Sequence, residues 1–355
     1  MKKTSKIMSL VLAGAMVLSM TACAGNTAET TAAATEAQKE TAADTAAKAE
    51  ETTEGETSEG ETAAKAEGTT YKIGVLQLVQ HTALDAANDG FIAALDDAGI
   101  AYEVDQQNAS GDQSACQTVA SKFANEKKDL ILAIATPAAQ AMVGAVEDTP
   151  VLITAVTDPA ESGLVDTNEK PGANVTGTSD LTPVKEQIDL LKQLVPEAKT
   201  VGVLYCSAES NSKIQADMAK EAIAAAGMES KEYTVSSSNE IQTVVQSMVG
   251  AVDAVYAPTD NVIAAGMATV GMVAGDNNLP VICGEAGMVQ NGGLATYGID
   301  YYQLGYMTGQ QAVKILTEGA SPADMPIEYL PAEKCELTVN EETAQTLGID
   351  VSGLK

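Results

Sequence analysis

The chain is predicted to be an α/β protein of two doubly wound parallel-sheet lobes facing each other across a cleft. Three observations predict it. From Lys72 onward, apolar runs of strand length alternate with helical patterns, as in a parallel sheet covered on both faces. The pattern then restarts, with Thr200-Val201-Gly202-Val203-Leu204-Tyr205 echoing Ile73-Gly74-Val75-Leu76. Polar clusters follow the apolar runs in both halves, at the strand ends where open parallel sheets hold their ligands.

Ahead of this region stand Met1-Lys2-Lys3-Thr4-Ser5-Lys6, the apolar stretch Ile7 to Met20, and Thr21-Ala22-Cys23. A basic start, a short apolar core and small residues before a cut mark a secretory signal. Cysteine directly after the cut makes it look like a bacterial lipoprotein signal over residues 1–23, with Cys23 lipidated as the new N-terminus. The apolar stretch is shorter than the roughly 20 residues of a membrane-spanning helix. Residues 24–70 then carry 11 acidic residues and 3 lysines but no Val, Ile, Leu, Met, Phe or Tyr. A segment with so little to bury does not repay the entropy of folding. The expected arrangement is a disordered tether, with the folded part exported and lipid-anchored to the outer face of the bacterial cell membrane.

The elements follow in order. Lys72 to Val79 reads as a buried strand. Leu84, Ala87, Phe91, Ala94 and Leu95 fall at helical spacing, and Gly99 ends that helix. Strands are predicted over Ala101 to Gln106, Asp129 to Ala135 and Val151 to Val156, with helices over Gln113 to Asn125 and Pro137 to Val146. In the second half, Asp253 to Thr259 corresponds to Leu130 to Thr136, and Pro280 to Gly284 corresponds to Pro150 to Thr154.

The formal charge is −29 overall and −24 on the folded part, which argues against nucleic acid as a partner. The chain contains no Arg, so no guanidinium fork can hold a ligand carboxylate. Cys116, Cys206, Cys283 and Cys335 are scattered, without zinc spacing. His81 is the single histidine, and no nucleophile elbow, phosphate loop or dinucleotide motif is present. No metal or cofactor is expected, and no catalysis.

The strand ends supply the candidate ligand-binding residues. In the first half these are His81, Asn108, Thr136, Ala138, Thr157 and Asp158. In the second they are Ser207, Glu209, Asn211, Thr259, Asp260, Asn261 and Glu285. A hydroxyl and free backbone N–H groups at a helix start can hold a carboxylate without Arg, and Asp260 or Glu285 could hold an ammonium. Thr136, Asn211 and Asp260 are equally ordinary as helix caps.

Several runs carry a family likeness: Val156-Thr157-Asp158-Pro159, Asn174-Val175-Thr176-Gly177, Tyr256 to Asn261, and Gly292 to Tyr302. Over about Tyr71 to Leu347 the chain resembles the ABC-transporter substrate-binding proteins of the tryptophan/tyrosine type. That resemblance implies a type I periplasmic-binding-protein fold with three chain crossings at the hinge. It places them between Asp158 and Val175, near Gly292 to Gly298, and after Leu316. The first lobe would comprise residues 71–175 and 298–318, the second 176–297 and 319–355. It also implies delivery of a small solute, an aromatic or hydrophobic amino acid, to a membrane permease with a cytoplasmic ATPase. For such a ligand, Thr136 with the N–H groups of Ala138 and Ala139 would take the carboxylate, assisted by Ser207 or Thr157. Asp260 or Glu285 would take the ammonium, and Tyr205 and His81 would flank the side chain. A sugar or nucleoside receptor of the same fold and a sensory module for a membrane kinase are the alternatives. A hydrolase dependent on His81 is a third.

Overall fold

The computed structural model describes residues 68–354; the proposed signal, Cys23 and the tether up to residue 67 lie outside them. The first half runs β1 (Tyr71–Gln77), α1 (Thr82–Asp97), β2 (Tyr102–Asn108), α2 (Gln113–Glu126), β3 (Leu130–Ile134), α3 (Thr136–Val143), β4 (Val151–Val156) and β5 (Val175–Ser179). The second runs α4 (Val184–Leu194), β6 (Thr200–Cys206), α5 (Ser210–Ala225), β7 (Glu229–Val235), α6 (Ile241–Met248), β8 (Ala254–Ala257), α7 (Asn261–Ala265), α8 (Met267–Asp276), β9 (Val281–Cys283), α9 (Ala286–Gln290) and β10 (Ala295–Gly298). The chain closes with α10 (Tyr301–Glu318), β11 (Glu328–Tyr329), β12 (Glu336–Val339) and α11 (Glu341–Leu347).

The strands form two sheets, ordered β11-β5-β4-β3-β1-β2 and β12-β10-β9-β8-β6-β7. All pairings in the first are parallel. In the second, β12 alone runs antiparallel, against β10. The central strands β3 and β4 are buried along their whole length, as helices on both faces require. Each sheet has its own apolar core. Phe91, Phe123, Leu132 and Ile153 lie in the first; Ile188, Tyr256 and Ile223 cover one face of the second, and Met248, Val270 and Met288 the other.

The hinge crossings are set by sheet membership, and the first falls later than the sequence suggested. β5 belongs to the first sheet, so the chain crosses at 180–183 rather than before Val175. Its sequence, Val-Thr-Gly-Thr-Ser, has no apolar run, yet all five residues are buried. Its hydroxyls find internal partners: Thr178 Oγ1 shares hydrogen bonds with Thr154 Oγ1 at 2.9 Å and Thr308 Oγ1 at 2.8 Å. The second crossing, at 299–300, lies between β10 in the second sheet and α10, which packs along α1. There, a Cβ on Gly90 or Gly305 would collide with the facing helix backbone. The third crossing, at 330–335, comes after β11 has rejoined the first sheet, so Glu328 and Tyr329 belong with the first lobe rather than the second.

Candidate ligand-binding cleft

The carboxyl ends of the two sheets face each other and touch. Gln215 Nε2 donates to Thr157 Oγ1 at 2.9 Å, Gln140 Nε2 to Ser210 Oγ at 3.4 Å, and Gln113 Nε2 to the Ala208 carbonyl at 3.3 Å. His81 Nε2 lies 3.2 Å from Asn261 Oδ1. The Asn261 amide nitrogen donates to Glu209 Oε2 at 2.7 Å, which orients the amide so that its oxygen accepts from His81. Burial lowers the pKa of the imidazole, against the opposing Asn261 hydrogen bond and Asp85 charge. Its Nδ1 has no hydrogen-bond partner.

Behind this pair the touching lobes leave a narrow polar cavity of about 10 Å³, roughly the room of one water, so a ligand enters only as the lobes part. His81, Leu84, Ala155 and Tyr301 line it from the first lobe, Asp180 from the hinge, and Asn211, Asp260, Asn261 and Glu285 from the second. Ala155 has φ 54°, where β4 and β5 lose register. Ala135, just before α3, has φ 84° and ψ 151°. Alanine rarely adopts such backbone, and strain of this kind gathers at ligand sites.

Four carboxylates are buried at or behind the cavity: Asp180, Asp260 and Glu285 line it, and Glu209 stands behind Asn261. None takes part in an ion pair among the described residues, where the lysine pairs involve other acids. Burial pushes Asp180 up to about 6, against the hydroxyls of Tyr301 and Thr157, which hydrogen-bond to it. Burial pushes Glu285 up to about 7, opposed by the N–H groups of Gly287 and Met288 and reinforced by the Asp180 charge. Glu209 and Asp260 are raised together, chiefly by burial; the Asp260 charge adds to the rise at Glu209. Buried carboxylates without a counter-ion are costly when ionised. The site is therefore electrostatically prepared for a cation.

Two of these acids already have structural work. Asp260 Oδ1 accepts the Ile263 N–H at 2.8 Å as the N-cap of α7, and Oδ2 accepts the Cys206 N–H at 2.5 Å. Glu285 caps α9, accepting from Met288 N at 2.8 Å and Gly287 N at 2.5 Å. Asp180 is less committed, accepting the Tyr301 hydroxyl at 2.7 Å and the Thr157 hydroxyl at 3.3 Å. Asn211 Oδ1 is also unpartnered.

Of the residues chosen from sequence, His81, Asn211, Thr259, Asp260, Asn261 and Glu285 meet at the cavity. Glu209 stands behind Asn261, and Thr157 and Thr259 are joined by Gln215. The others are placed differently. Asp158 holds its own turn, accepting from Ala160 N, Glu161 N and Asn168 Nδ2. Tyr205 lies in the core with its hydroxyl on Glu232 at 3.0 Å, away from the cavity, so it does not flank a ligand there. Ser207 is exposed and bonds to the Val235 carbonyl. The Ala139 N–H is already given to the Ala135 carbonyl at 3.0 Å, because helical bonding begins at that residue. Thr136 and Ala138 sit in the first turn of α3 outside the cavity lining, and Thr136 Oγ1 is buried without a partner. Asp180 and Tyr301 were not among the residues chosen from sequence.

Two α/β lobes joined by a three-crossing hinge and meeting at a polar cleft define a small-solute receptor of the periplasmic-binding type. The chain belongs to the ABC transporter substrate-binding protein family, whose model matches residues 72–353. That makes it an extracytoplasmic substrate-binding component of an ABC transporter. It is 40% identical over 352 residues to the tyrosine-binding protein of Clostridioides difficile, covering 98% of this chain and 93% of that one. The crystal structure of an ABC domain with bound L-Trp from Streptococcus pneumonia shares 39% identity and a TM-score of 0.77, over 80% of this chain and 97% of the other. A ligand-free, open substrate-binding protein of Clostridium difficile shares 46% identity but a TM-score of only 0.62, over 81% and 97%. In the present structure the lobes touch across the cleft, through Gln215 and Thr157, Gln140 and Ser210, and His81 and Asn261. Among the described residues, no helix is long and apolar enough to cross a membrane.

Proposed function

We propose that this protein captures an aromatic amino acid, tyrosine or tryptophan, and hands it to its ABC permease without converting it. The observation that carries the reading is the set of three buried carboxylates lining the cavity, Asp180, Asp260 and Glu285, with Glu209 buried behind Asn261 and no lysine paired to any of them among the described residues. A ligand ammonium would supply the missing charge, whereas a sugar would leave the acids uncompensated. Asp180, with Asn211 Oδ1 beside the same cavity, takes the ammonium; Glu285 adds field from the second lobe. Thr136 Oγ1, buried without a partner beyond the cavity lining, and the Ala138 N–H receive the carboxylate once the lobes part, and His81 and Leu84 bound the ring. The names of the C. difficile and S. pneumonia relatives support an aromatic side chain. Contacts from both lobes let the ligand favour the closed state. A diacyl anchor on Cys23 and the acidic tether keep the receptor at the outer membrane face.

The test is ligand-dependent melting against the twenty amino acids, common sugars and nucleosides. A ligand that binds only the folded state raises the melting temperature. Stabilisation confined to aromatic amino acids is expected; stabilisation by sugars or nucleosides alone would overturn the ligand assignment.

A further inference from the structure

We infer that Gly287 sets how far the two lobes can close, through its contact with Thr82. Gly287 is the second residue of α9, and it is not among the residues with positive φ. Its backbone therefore does not call for glycine, and glycine in a helix is about 1 kcal/mol worse than alanine. The reason for it lies across the cleft. A Cβ at this position would stand 2.8 Å from Thr82 Cβ, at the start of α1, and 2.9 Å from Glu285 Oε2. Among the described glycines, Gly287 alone has the opposite lobe as the nearest obstacle. Gly90, Gly305 and Gly309 admit close packing within the first lobe, and Gly202 and Gly266 within the second.

The obstacle is rigid. Thr82 Cβ is fixed to the helix backbone and no rotamer moves it, so an added methyl must push α1 and α9 apart. Since α1 belongs to the first lobe and α9 to the second, that displacement is opening. Thr82 and Gly287 line a cavity together with Ile299 and Tyr301 at the second crossing. The stop stands next to the contact across the cleft between His81, the residue before Thr82, and Asn261, so a displacement there moves the lobes where they meet. Gly287 is thus a positioning residue for ligand capture, acting through the lobe angle. The inference rests on closure about the hinge as proposed above, and its test can fail separately from the ligand assignment.

The test traps the closed state in the full chain. Gln140→Cys and Ser210→Cys, whose native side-chain tips meet at 3.4 Å, are joined by a short bismaleimide in a Cys335→Ser background. The trapping rate is read with and without L-tryptophan or L-tyrosine. Adding Gly287→Ala should slow trapping about tenfold or more under both conditions, and adding Thr82→Gly to that variant should restore it. An unchanged rate in G287A would overturn the inference. So would a slowed rate that Thr82→Gly fails to restore, which would assign the effect to Glu285 instead. Failure of either amino acid to accelerate trapping in the Gly287 parent counts against the ligand assignment alone, because the comparison of the parent with G287A needs no ligand.

Discussion

The Tyr301 hydroxyl donates a 2.7 Å hydrogen bond to Asp180 Oδ2, joining the start of the first hinge crossing to the residue just past the second. Both side chains are buried and both line the cavity. The pair therefore couples the hinge to the site: what binds at Asp180 also acts where the lobes pivot.

Asp180→Asn keeps the shape and removes the charge. Binding of L-tryptophan should weaken between about tenfold and a hundredfold, the range of a charged hydrogen bond. The ligand-free protein should melt at the same temperature or higher, because a buried ionisable group without a counter-ion is gone. Calorimetric titration and thermal melting of the same variant read the two effects.

Asp260→Ala should behave in the opposite way. It strips the N-cap of α7 and leaves the buried Cys206 N–H without an acceptor. A loss of about 2–4 kcal/mol of folding stability is expected, measurable by urea unfolding. Of the two roles the sequence offered for Asp260, ammonium receptor and helix cap, this outcome would favour the cap.

The raised acids predict a pH dependence with a definite sign. Asp180 and Glu285 move from 3.8 and 4.5 to about 6 and about 7 on folding. Between the unfolded and folded values the native state binds more protons, so ligand-free stability falls as pH rises from about 4 to about 7. An ammonium ligand favours the ionised acids, so its affinity rises over the same window and binding releases protons. Titration calorimetry in buffers of different ionisation enthalpy reads the proton count.

Ala135→Gly should stabilise the protein by about 1 kcal/mol. The native φ of 84° and ψ of 151° belong to glycine territory, and relieved strain exceeds the added chain entropy. Chemical denaturation of the variant checks the sign.

The two-lobed fold was legible because buried parallel strands are long apolar runs: Val151 to Val156 appears in the structure with the same ends. β5 was hidden because its threonines satisfy one another inside the core, and β7 because its outward residues are charged. The strand-end rule picked residues that line the cavity where a polar residue ends a strand and faces the other lobe, as at His81, Asn261 and Glu285. It failed at Tyr205 and Ser207, because strand-end position does not reveal which way a side chain turns. Asp180 escaped because it follows the strand that was hidden. Its signal was present as an acid between the polar run ending at Ser179 and the Pro183 that precedes α4.

The most direct measurement is calorimetric titration of the full chain with L-tryptophan and with indole-3-propionate, which lacks the ammonium. The buried carboxylates predict that L-tryptophan binds and that the deaminated analogue binds at least about a hundredfold more weakly. Equal affinity for the two would contradict the assignment of the buried acids to a ligand ammonium.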